Sequence, residues 1–182
     1  MRKLLSLLVL VCSFSFGQKN PTTLSAYYTG GNFTQVGLSL ERGKLKENDK
    51  QFVSHIINLG LNNYDYEVDN LKITGTGFVI ESGLKTYLNK DKTNKNLYVG
   101  NFISYGNLKF DENFLFGKFE GTFSYFSLFS PEIGYKFKAG NFAIDPFAGI
   151  QWQWQIKGKG DIDNVNVDNW QPRIGIRIGY QF

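Results

Sequence analysis

The chain has a single histidine, His55, and the residue before it is Ser54. A serine hydroxyl, an imidazole and a carboxylate are the parts of a nucleophilic hydrolase or acyl transferase. The imidazole takes the hydroxyl proton and the carboxylate orients the ring. Glu41 and Glu81 are the acids that could complete such a set. The surrounding segment, QFVSHIINLGL, alternates apolar and polar residues as a strand does, and successive strand residues point to opposite faces. Ser54 and His55 therefore cannot meet directly, and His55 is expected to be a structural or interfacial side chain.

Two further groups of residues could do chemistry. Glu41, Glu81, Lys85, Glu132, Lys136, Asp145, Arg173 and Arg177 fall on the polar faces of alternating segments. Charges of both signs on inward faces would make either an ion path with a gate or a set of salt bridges that fills the interior. The second is expected, because an unpaired charge in a narrow interior is costly. Asp161, Asp163, Asn164, Asn166 and Asp168 offer oxygen ligands of the kind calcium takes. Val165 stands where a ligand belongs and the glycine of a calcium loop is missing, so a solvated loop is expected. Gly158 and Gly160 lie between lysines without a strand-to-helix context, so a phosphate loop is not supported. Neither cofactor nor metal site is expected, and no catalytic residue is assigned.

The elements that must position these groups are strands. Pro172 to Phe182, PRIGIRIGYQF, carries Ile174, Ile176, Ile178, Tyr180 and Phe182 on one face and Arg173, Gly175, Arg177, Gly179 and Gln181 on the other. That is a period of two without a break. The same rhythm predicts strands over Thr22 to Tyr28, Phe33 to Gly43, Gln51 to Leu61, Leu71 to Leu88, Leu97 to Phe110, Phe123 to Lys138 and Phe142 to Ile156. Leu71 and Ile73 are out of phase with the rest of their strand, which predicts a bulge near Gly75. Both faces of the Leu97 to Phe110 strand carry apolar residues. Polar loops are predicted over 62–70, 111–122 and 157–171, and turns over 44–50, 89–96 and 139–141.

Eight strands return both ends of the chain to one side. Trp152, Trp154, Phe123 and Tyr125 are then expected outside at one end, and Tyr135, Phe137, Tyr180 and Phe182 outside at the other, as two aromatic girdles. The expected fold is all-β: an eight-stranded, antiparallel, up-and-down transmembrane β-barrel. Such a barrel has an interior only wide enough for side chains.

The N-terminus fits export. Arg2 and Lys3 precede a mostly apolar run from Leu4 to Phe16, with Ser15 and Gly17 as the small residues of a cleavage site. Cleavage after Gly17 divides the chain into a signal peptide, 1–17, and one barrel domain, 18–182. Lipidation at Cys12 is disfavoured by Val11. The formal charge of +4 includes Arg2 and Lys3, so the basic balance does not argue for nucleic acid. No segment after the signal is apolar enough for a helical span. A mean hydropathy of −0.27 does not exclude a membrane barrel, because only alternate residues face lipid.

The segments VIESGLKTYL, NLYVGNFISYG, SPEIGYKFKAGNFAIDPFAGIQW and IGIRIGYQF together resemble small outer-membrane β-barrel proteins of Bacteroidetes, barrels of the OmpA/OmpX-like kind. The resemblance covers roughly Val79 to Phe182. It implies residence in the outer membrane, contact with its lipid and lipopolysaccharide, and engagement of the barrel-assembly machinery through the closing strand that ends in Phe182. It implies no established activity, and no peptidoglycan-binding domain is expected beyond the barrel. The expected role is a structural or adhesive barrel with a plugged lumen that displays its external loops to a ligand the sequence does not name. The alternatives are an enzyme acting on lipid A through His55, a narrow pore, and a soluble lipid-carrying barrel. The last would not account for outward Trp152 and Trp154.

Overall fold

The computed structural model describes residues 20–45, 51–68, 71–88, 95–114, 117–161 and 169–182. The expected signal peptide lies outside these residues, as do most of the turns over 44–50 and 89–96. Nine strands follow one another: β1 (Thr22–Gly30), β2 (Phe33–Leu45), β3 (Phe52–Val68), β4 (Leu71–Tyr87), β5 (Asn96–Phe114), β6 (Gly117–Phe129), β7 (Pro131–Ala139), β8 (Phe142–Gly160) and β9 (Trp170–Gln181). All pairings are antiparallel. β6 and β7 are consecutive pieces of one barrel strand, since β5 and β8 each pair with both. β1 pairs with β9, so the ring closes with eight strands and leaves no edge.

Alternation decides which side is which. Leu38, Leu61 and Ile174 are 60%, 64% and 69% exposed, while Glu81 and Lys85 are 0% exposed. Apolar side chains line the outside and charged ones the inside, the reverse of a soluble barrel. Thirty large apolar side chains among the described residues are exposed. A wall this apolar needs lipid around it. Among the described residues, no helix is long and apolar enough to cross a membrane, so the strands alone make the span.

The strand breaks at Ser130, and the expected unbroken Phe123 to Lys138 strand is corrected there. Phe126 pairs with Trp154 but Phe129 with Trp152, so β6 carries one extra residue. A bulge of this kind reverses the phase of a strand. Ser130, Glu132 and Lys136 point inward as expected, but above the bulge Phe123 and Tyr125 also point inward. The Asn101 side chain bridges the break. Its oxygen accepts from the Ser130 amide at 2.9 Å and its nitrogen donates to the Leu128 carbonyl at 3.5 Å. The upper girdle is therefore built from Phe126, Phe129, Trp152, Trp154 and Trp170, with Phe126 and Trp154 stacked 5.7 Å apart, and not from Phe123 and Tyr125. The lower girdle stands as expected: Tyr135 and Phe137 pack at 4.4 Å, and Tyr180 and Phe182 at 5.1 Å.

Two predicted loops are largely strand, and a third is shortened. β3 runs on to Val68 and β4 starts at Leu71, so residues 62–68 are paired. β5 and β6 form a hairpin paired up to Phe114 and Gly117, through most of 111–122. β8 continues to Gly160 and β9 begins at Trp170, which trims the 157–171 loop from both sides. The bulge predicted near Gly75 is absent: β3 and β4 pair without a register shift from Phe52 and Tyr87 to Val68 and Leu71. Ile73 is inward and buried for a different reason. It belongs to an apolar cluster, and Gly75 is where the Phe110 ring lies against the backbone, leaving no room for a Cβ. The short turn between β7 and β8 uses Gly140 at φ 61°, a conformation glycine adopts without strain.

Candidate functional site

The inward faces converge on a filled lumen. At the end that carries Thr22 and Phe182, the rings of Phe52 and Tyr87 pack 5.9 Å apart, and those of Tyr87 and Tyr98 5.4 Å apart. Above them lies a connected charge network. Glu41 of β2 accepts from the Tyr87 hydroxyl at 2.7 Å, Lys136 at 3.1 Å and Lys85 at 3.2 Å. Lys85 also reaches Asp145 of β8 at 2.5 Å. The Tyr98 hydroxyl lies 2.7 Å from Asp145 and 2.9 Å from Glu132. Arg177 grips Glu132 with two bonds, at 2.8 and 2.9 Å, and its guanidinium sits 3.9 Å from the centre of the Phe147 ring.

A second pair stands higher. Arg173 donates to Glu81 at 2.9 Å and to the Ser130 hydroxyl at 2.8 Å. Asn58 donates to the same Glu81 oxygen at 2.9 Å. Among the described residues, the buried charges are four cations (Lys85, Lys136, Arg173, Arg177) and four anions (Glu41, Glu81, Glu132, Asp145), so this layer is formally neutral. Every barrel strand contributes to it, because Lys136 also donates to Thr23 of β1 at 3.1 Å.

Polar amides and hydroxyls follow, with Gln151 donating to Ser104 at 2.9 Å and Asn62 to the Tyr125 hydroxyl at 2.8 Å. The lumen then closes on Phe33, Tyr64, Tyr66, Ile73, Leu108, Phe110, Phe123 and Tyr125, with Phe119 packed against them. Phe33 and Tyr64 stack at 4.3 Å. This aromatic cap is the part of the interior that sequence reasoning missed. Its signal was the apolar second face of β5 and the aromatics within the predicted polar loops.

Asp145 lies directly across from Arg177 in the register, but their closest atoms are 3.6 Å apart and Glu132 is the close partner of Arg177. Arg173 reaches Glu81 across the lumen. The inward placement of all eight charged residues is as expected.

The hydrolase set is not assembled. Ser54 is buried inside the barrel and His55 is exposed on the outer wall. Glu41 and Glu81 are inside and held by cations. Of the acidic loop, Asp161 is described, and its carboxylate accepts from the Glu120 amide at 2.9 Å. Asp163, Asn164, Asn166 and Asp168 lie outside the described residues. No metal-ligating cluster is found among the described residues.

Beyond the apolar belt, the ends of β3 to β6 carry exposed ion pairs. Lys72 meets Asp65 at 2.7 Å, and Lys118 meets both Asp111 and Glu120. Lys72 holds the Asp65 carboxyl below the usual carboxylate range, helped by a bond from Thr74, and Lys109 and Lys118 do the same for Asp111.

Comparison with protein-family models finds no match, and none of the curated proteins matches the chain. Among solved structures, the chain is similar to Ail, the attachment invasion locus protein of Yersinia pestis, solved in complex with the heparin analogue sucrose octasulfate. Identity is 15% and the TM-score 0.51, over 91% of this chain and 100% of that one. It is also similar to a major outer membrane protein from Thermus thermophilus, with 12% identity and a TM-score of 0.54 over 91% of this chain and 100% of that one. The shared feature is the fold: an antiparallel transmembrane barrel of the outer-membrane type.

Proposed function

We propose that this protein is an outer-membrane barrel with a plugged lumen, whose role is to anchor and display the hairpins β3–β4 and β5–β6 outside the cell. The observation that carries the reading is the inside-out barrel whose lumen is closed twice, by a neutral charge layer and by an aromatic cap. The end with Thr22 and Phe182 is periplasmic. The longer strands β3, β4, β5 and β8 extend at the other end and present Lys72, Asp65, Lys109 and Asp111 to solvent. Display for attachment is supported by analogy with Ail, an attachment protein on the same fold.

This reading assigns no catalytic role to His55. His55 has no hydroxyl or carboxylate bonded to it on the outer wall among the described residues. Mass spectra of lipid A should be the same for wild type and His55→Ala, and altered acylation would revive the enzyme. β9 closes the ring through β1 and is the strand the assembly machinery would engage, so Phe182→Ala should lower the inserted fraction. The reading as a whole is tested by membrane fractionation and a heat-dependent gel shift. Recovery as a soluble protein with no shift would refute it.

A further inference from the structure

The outer wall carries a polar patch near its lower edge. Arg42 of β2 lies opposite His55 of β3, and His55 opposite Leu84 of β4. Across β3, β4 and β5 this part of the wall dips into an open hollow of about 590 Å³. Its polar lining is His55, Ser82, Thr86 and Asn101, and its apolar lining is Leu84, Val99 and Ile103. The hollow exists because Ser82 and Thr86 are short where the neighbouring outward residues of β4, Ile80 and Leu88, are long.

Its height follows from the register. Arg42 pairs with Thr22, the first residue of β1, at the end that carries the lower aromatic girdle. The row of partners climbs from there because barrel strands tilt by roughly 35–45°. His55 is three residues from Phe52, about 10 Å along the strand. Arg42 thus sits at the membrane boundary and the hollow just inside it. Arg42 and His55 are exposed and make no hydrogen bond or ion pair among the described residues. Glu41, the residue before Arg42, and Glu81 of β4 point into the lumen. Polar side chains on a lipid-facing surface are expensive and mark a function.

We propose that this hollow seats one phospholipid of the inner leaflet, with its phosphate diester against Arg42 and His55 and an acyl chain along Leu84, Val99 and Ile103. The inference rests on the outer-membrane reading above. Charge selects the headgroup, since a cation donates charge-assisted bonds to phosphate. The apolar floor selects a lipid over free phosphate.

The test is native mass spectrometry of the purified full-length barrel after exchange into nanodiscs of palmitoyl-oleoyl phosphatidylethanolamine and phosphatidylglycerol. Wild type should retain one phospholipid. The double variant Arg42→Gln, His55→Gln should retain it about tenfold less, the effect of losing a charge-assisted bond. Ser82→Leu with Thr86→Leu fills the hollow with both charges kept and should lose retention as well. Equal retention in either variant overturns the seat, as does preferential retention of lipopolysaccharide added to the disc. The gel shift of each variant reports the barrel separately, so a shifted but equally lipid-loaded variant removes the seat and leaves the barrel standing.

Discussion

The lower half of the lumen is filled by charge and the upper half by aromatic rings. Both halves meet the same steric demand, an interior with room for side chains only. The charge layer must balance one by one: four cations answer four anions, and removing any of them strands a partner away from bulk solvent. The aromatic cap must only fill volume, and its rings tolerate small changes of shape. The lower half is therefore stoichiometric and brittle, and the upper half compliant.

The largest expected effect comes from breaking the stoichiometry. Arg177→Ala leaves Glu132 without its two-pronged partner and should cost about 3–5 kcal/mol, read as a lower urea midpoint of the heat-shifted band. Arg177→Met with Glu132→Met should cost less than Arg177→Ala alone, because no orphaned charge remains. If the double variant is the worse of the two, the distinction between the halves fails.

The cap should respond more mildly. Ile73→Val, which trims one methylene from the cap, should cost about 0.5–1.5 kcal/mol with the gel shift intact. A loss as large as that of Arg177→Ala would mean the cap is as exacting as the charge layer.

The smallest effect lies outside the membrane. Asp65 carries a lowered carboxyl beside Lys72, so its contribution is present above the ordinary carboxylate range and lost as pH falls through the lowered value. The pair is exposed, so the contribution is about 0.2–1 kcal/mol. Lys72→Ala should lower stability by that amount at neutral pH and leave it unchanged below the lowered carboxyl value, which flattens that part of the acid profile.

The same contrast sets what the sequence discloses. The charge layer was legible residue by residue, because a charged side chain among alternating apolar ones has one face to go to. Glu41, Glu81, Lys85, Glu132, Lys136, Asp145, Arg173 and Arg177 all point inward as alternation dictates. Their partners were not legible, since pairing across a closed ring depends on register. Glu132 and Arg177 meet although β7 and β9 are not neighbours in the sheet. The cap was hidden because period-two reasoning separates polar from apolar, and an apolar residue inside a barrel breaks that code. Tyr64 and Tyr66 looked like loop and Ile73 like the sign of a bulge. Phe123 and Tyr125 looked lipid-facing because the extra residue in β6 reverses the phase with no mark in composition.

The central claim is that charge and rings together plug the tube. Planar-bilayer recording of the purified protein tests it most directly. A tube closed twice should be silent in the wild type and stay silent in Arg177→Ala, where the aromatic cap remains, whereas steady, well-resolved channels in the wild type would contradict it.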